Sequence, residues 1–154
     1  MGALRGEGRE EAPKKRIHLK KAPDSGHNRT HGGDMELGDS VRCVLDQKGW
    51  GAFSVSPYQT VFEALEAMAK EGVGALVVVQ GEVLAGVFSE RDYARRVILE
   101  GRSSRDALVA DIMTADVITV TPDVTVDRCM HLMTEHRIRH LPVMVCLLYT
   151  SRCV

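Results

Sequence analysis

Ser54-Val-Ser-Pro-Tyr-Gln-Thr-Val61 and Thr119-Val-Thr-Pro-Asp-Val-Thr-Val126 are two versions of one pattern, set 65 residues apart. Each alternates a hydroxyl residue with Val, turns at Pro and closes on Thr-Val. Continued without a gap, the register puts Leu65 on Met130, Met68 on Met133, Val73 on Ile138, Leu76 on Leu141 and Val78 on Val143. A register that matches apolar positions and punctuation together is the mark of an internal repeat.

The local chemistry of the first copy predicts its elements. A short strand ends at Pro57, as another does at Pro122, because proline has no N–H to give a ladder. Thr60 is placed as a helix N-cap with Glu63 three residues on, a capping box. Val61, Leu65, Met68 and Ala69 recur at helical spacing, and Gly72 suits the helix end. Ala75-Leu-Val-Val-Val79 is β-branched and apolar, as a buried strand should be. Gln80-Gly81-Glu82 turns the chain into a partner strand over Val83–Phe88. Ser89 opens a second helix, Glu90 to about Glu100, stopped by Gly101. The expected unit is β-α-β-β-α, an α+β fold with helices on one side of a small sheet.

Around the repeats the chain divides into a leader, residues 1–34, a first repeat with its lead-in, 35–106, and a shortened second repeat, 107–145. The leader is rich in Gly, Lys, Arg and His, without apolar periodicity, so it reads as disordered or non-native. Its Lys14-Lys15-Arg16 and Lys20-Lys21 clusters are solvated charge in that reading, and Met35 is a plausible natural start. The last stretch, Cys146-Leu-Leu-Tyr-Thr-Ser-Arg-Cys-Val154, stands where the second copy should continue. It can be written as TGT CTC TTA TAC ACA TCT AGA TGT GTA, a transposon mosaic-end adapter abutting its own reverse complement. Residues 146–154 are therefore expected to be a non-native tail.

Composition narrows the function classes. With 44% hydrophobic and 27% charged residues the chain is of ordinary globular make-up. Its formal net charge of −1 argues against a nucleic-acid binder. No apolar run reaches the roughly 18 residues of a membrane span, and no secretory core follows the N-terminal charges. A cytoplasmic place is the expectation. Cys43, Cys129, Cys146 and Cys153 form no Cys-x-x-Cys pair, so they are read as free thiols rather than metal ligands. No nucleophile elbow, Walker loop or metal signature occurs, and no enzyme is expected.

The ordered set of motifs resembles the CBS-domain (Bateman module) family. It comprises Ser54-Val-Ser-Pro with Thr60-Val61, Gly74-Ala-Leu-Val-Val78, Gly86-Val-Phe-Ser-Glu-Arg-Asp92, Asp111-Ile-Met-Thr114 and Arg137-Ile-Arg-His-Leu-Pro-Val143. The resemblance implies a tandem pair, a pseudo-twofold disk, and a cleft for AMP, ATP, NAD or S-adenosylmethionine. It implies no required cofactor, an adenosyl nucleotide as partner, and a homodimer of pairs. A regulatory, non-catalytic module follows. A fragment of a larger enzyme or transporter, or a ligand-free dimerisation module, are the other readings.

Asp92 is the candidate reader of a ribose diol, since a carboxylate accepts both hydroxyl protons in charge-assisted bonds. Ser89, Arg91 and the backbone of that helix start face ribose or phosphate in this reading, and Gly86 lets the ligand approach the strand. Ser89-Glu-Arg-Asp92 is equally an S-x-x-D cap, and the two roles can coexist. Arg139 and His140 are candidate phosphate contacts at the entry to the second copy's strand. Arg137 reads equally as solvated surface, and Arg95 and Arg96 as a wet helix face. Met68, Met130, Met133 and Cys129 are expected in the core. Trp50 and Phe53 are open between covering the cleft and covering the repeat junction.

Overall fold

The computed structural model describes residues 16–18 and 36–145. Along the chain run β1 (Arg16–His18), α1 (Val41–Lys48), β2 (Gly51–Val55), α2 (Val61–Glu71), β3 (Ala75–Gln80) and β4 (Val83–Ser89). Then come α3 (Glu90–Tyr93), a wider helical turn over Ala94–Ile98, α4 (Val109–Ile112) and α5 (Val126–Glu135). The tail 146–154 and the rest of the leader lie outside the described residues.

The first copy is the expected β-α-β-β-α unit, and the fold is α+β. β3 is the central strand, parallel to β2 and antiparallel to β4. Its Leu76 and Val78 are buried while Ala75, Val77 and Val79, which alternate with them, are half-covered, as a strand with one face on the core requires. β1 adds an antiparallel edge beside β2, with Ile17 opposite Ala52, which the sequence reading did not anticipate. α2 starts at a complete capping box: the Thr60 N–H donates to Glu63 Oε2 at 2.8 Å, and the Glu63 N–H donates to Thr60 Oγ1 at 3.2 Å. It ends at Gly72, whose φ of 65° is left-handed. Val61, Ala64, Met68, Leu76, Val78 and Phe88 form the main core with Val97, Val109 and Ile112.

The helix after Ser89 differs from a single regular run to Glu100. After Tyr93 its bonds widen: the Leu99 N–H reaches the Ala94 carbonyl at 3.2 Å, and the Arg102 N–H reaches Val97 at 3.0 Å. Both span five residues, which is π-type geometry.

In the second copy the β2–β3 pairing is reproduced by a bridge between Val120 and Val143, the positions matching Val55 and Val78. Its core is small: Val41, Val120 and Cys129 are buried, with Leu45, Val124, Leu132, Leu141 and Val143 against them. Met130 is 53% exposed, contrary to the expectation of a core position. Within the described residues no second β3–β4 hairpin covers that face of α5.

The lead-in α1 docks on the second copy rather than the first. The Val41 and Arg42 N–H groups donate to the Val124 and Pro122 carbonyls, both at 2.8 Å, and the Val126 N–H donates to Asp39 at 2.9 Å. α4 repeats this exchange on the first copy: Val109 to Gln59, Ala110 to Pro57, and Val61 to Ala107, all at 2.9 Å. Each copy is thus clasped by the segment that leads into the other.

Candidate functional site

The C-terminal end of β4, the start of α3, the linker after α4 and the turn after α5 meet around a cavity of about 610 Å³. Ser89, Arg91 and Asp92 come to it from the first copy, and Arg139 and His140 from the second. Five of the six site residues picked from the sequence therefore line one cavity.

Gly86 is the exception. It is a buried residue of β4, and a Cβ there would stand 2.7 Å from Met113 Sδ and 2.9 Å from the Thr114 carbonyl. The missing side chain admits the linker, not a ligand. That close passage lets Val87 and Thr114 exchange two backbone hydrogen bonds, at 3.0 and 2.9 Å.

Asp92 forms the capping box. Its Oδ2 accepts from the Ser89 N–H at 3.0 Å and from Ser89 Oγ at 2.5 Å, while the Asp92 N–H donates back to Ser89 Oγ at 3.3 Å. Among the described residues its Oδ1 has only the Thr114 hydroxyl, at 3.4 Å, a long contact that is weak by ordinary criteria. One edge of the carboxylate is structural and the other is open to exchange. Arg91 Nη1 donates to the Arg137 carbonyl at 3.0 Å, bridging the copies. Arg96 Nη1 donates to the Ile112 and Met113 carbonyls at 2.8 and 2.9 Å. It ties the end of α4 to the helical turn after α3, a tie the wet-face expectation did not include, although the residue is exposed as that expectation has it.

The linker is the part that sequence reasoning missed. Asp116, Val117 and Ile118 join Val87 and Ile138 on the wall, with Thr114 beside Asp92. The hinge motif Asp111-Ile-Met-Thr114 was legible, but nothing in it says that the next residues fold back over the cavity. Trp50 and Phe53 are elsewhere. The Trp50 indole donates to Asp46 Oδ1 at 2.9 Å under the Arg42 guanidinium, and Phe53 packs against the main core.

Five arginines and two histidines line the cavity against three carboxylates, Glu90, Asp92 and Asp116. Among the described residues the ion pairs shown are Arg42–Asp123 and Arg102–Glu100, and none of the cavity arginines is in one. The site therefore carries uncompensated positive charge beside a β-branched apolar wall. Such a site suits an anion attached to a flat apolar group.

A profile of the CBS domain family matches residues 51–99 and 109–145. Over 89 residues the chain is 52% identical to a mitochondrial CBS domain-containing protein of Arabidopsis thaliana, covering 54% of this chain and 43% of that one. It is 35% identical over 103 residues to the CBS domain-containing protein YhcV of Bacillus subtilis, covering 67% of this chain and 73% of the relative. A solved structure of a protein with CBS domains from Burkholderia ambifaria superposes with a TM-score of 0.68 at 45% identity, covering 70% of this chain and 82% of its own. The chain spans less than half the length of the Arabidopsis relative.

Proposed function

The chain belongs to the CBS-domain family as a tandem pair, a regulatory module, and we propose that it senses an adenosyl nucleotide in the cleft between its copies. The candidates are AMP, ATP, NAD and S-adenosylmethionine. The observation that carries this reading is the set of arginines gathered from both copies around one cavity, none of which is in an ion pair among the described residues. Arg139 and His140 meet the phosphates, Arg139 through its planar fork. Val87, Val117, Ile118 and Ile138 offer the adenine an apolar slot. The Oδ1 edge of Asp92 takes a ribose hydroxyl in place of its long Thr114 contact, while the Ser89 side keeps the helix capped.

The sensing step follows from where the linker lies. Thr114 is bonded to both β4 and Asp92, so a ligand on this wall bears on the junction of the two copies. A ligand shifts their relative pose only as far as it binds one pose better than the other. The exposed Ile98 and Leu99, at the end of the wide turn, are apolar surface available to a second pair in a homodimer.

Titration calorimetry with AMP, ATP, NAD and S-adenosylmethionine tests the reading, with adenosine and inorganic phosphate as partial ligands. One of the four is expected to bind at least about tenfold tighter than either part, a difference of about 1.4 kcal/mol. Binding by none of them ends the nucleotide reading.

A further inference from the structure

We propose that Arg137 is a further anion-binding residue of this cavity, held for that task in a left-handed backbone conformation that its own side chain disfavours. The proposal rests on the nucleotide reading and deepens it, by naming what grips the charged part. Arg137 follows α5 with φ at 54°, and among the described residues it alone has positive φ without being glycine. The matching position in the first copy is Gly72, at φ 65°. Both copies thus make the same turn after the same helix. Glycine makes it at a position that does not line this cavity, and arginine makes it at one that does.

An L side chain in that region crowds its own carbonyl, whereas glycine does not. A residue kept against such a preference, at the edge of a cleft, marks a constraint other than folding. The surroundings say which one. Arg91 donates across the cleft to the Arg137 carbonyl at 3.0 Å, which draws two cationic residues from opposite copies together. Among the described residues neither is in an ion pair with a carboxylate. A phosphate supplies the missing charge, and the guanidinium fork matches it with two parallel hydrogen bonds. A cation at the end of α5 also favours the helix dipole, but that role predicts no change in ligand affinity.

The test uses Arg137→Gly, Arg137→Asn and Arg137→Lys in the full chain, read by thermal unfolding without ligand and by calorimetry with ATP and with tripolyphosphate. Arg137→Gly is expected to melt roughly 2–6 °C higher as the strain disappears. It is also expected to bind both probes about tenfold to a hundredfold more weakly. Asn tolerates left-handed φ, so Arg137→Asn should lose the same affinity and serves if the glycine variant folds poorly; Lys should lose less. Unchanged ATP affinity in both Gly and Asn variants overturns the role of Arg137 and leaves nucleotide sensing standing. A parent chain that binds tripolyphosphate as tightly as ATP, with the loss in Arg137→Gly intact, keeps Arg137 and removes the adenosyl reading. A parent that binds neither probe overturns the role of Arg137, and nucleotide sensing falls with it only if AMP, NAD and S-adenosylmethionine fail to bind as well.

Discussion

At Asp92 the two oxygens of one carboxylate have different surroundings, and that asymmetry is where the cap and ligand readings meet. Asn in its place keeps an oxygen for the Ser89 side but presents no charge to a diol. The expected outcome for Asp92→Asn is a loss of preference for AMP over an analogue lacking both ribose hydroxyls. The parent chain should show that preference at about tenfold or more, the worth of a charged hydrogen bond. A preference that survives the substitution, measured by calorimetry, removes Asp92 as the diol reader. Gly86 makes the opposite case. The Ala methyl would meet Met113 Sδ and the Thr114 carbonyl well inside contact distance, so Gly86→Ala should cost about 1–3 kcal/mol in urea unfolding. Unchanged stability would mean that the linker does not lie against β4. The spacing from Gly86 to Asp92 identified both residues, but only the folded chain separates a glycine that admits backbone from one that admits ligand.

At the scale of elements, the local code was legible wherever a residue decides its own neighbourhood. The capping box at Thr60, the left-handed Gly72 and the Gly81 turn between β3 and β4 are such cases. The second copy keeps the cap without the box: Thr125 accepts from the Arg128 N–H at 3.3 Å, and Arg128 has no carboxylate to return the bond. Thr60→Ala should therefore destabilise more than Thr125→Ala, with about 0.5–2 kcal/mol expected for a lost cap and the larger end for Thr60. Denaturant titration of the two variants reads the difference, and an equal or reversed order would contradict it. What the pattern did not disclose is the widening of the helix after Tyr93. The wide turn adds no residue type of its own, and it accompanies a tertiary bond, Arg96 reaching back to the Ile112 and Met113 carbonyls. Helical periodicity reports which face is apolar and is silent about such anchors. Met130 shows the same limit. Its place in the repeat is that of Leu65, but its burial depends on elements outside helix α5.

At the scale of the whole molecule, a repeat in sequence need not be a repeat in contact. The lead-in α1 sits next to the first copy along the chain and completes the core of the second, where Val41 and Leu45 lie with Cys129. Reading contiguous segments as units hides this exchange, because hydrogen bonds such as Val41 to Val124 join residues far apart in sequence. The thiol of Cys129 reports on it directly. Burial pushes its pKa up, and a buried, protonated thiol is a poor nucleophile. In a chain whose Cys43, Cys146 and Cys153 are replaced by serine, Cys129 should react slowly with a thiol reagent. Val41→Ala removes packing from α1 without touching α5, at a cost of roughly 1–3 kcal/mol. If Cys129 reacts through opening of this cluster, each 1.4 kcal/mol lost should speed labelling about tenfold. A labelling rate left unchanged by Val41→Ala would separate α1 from the second copy. The exchange of lead-ins would then no longer explain why the two halves of the cleft are held face to face.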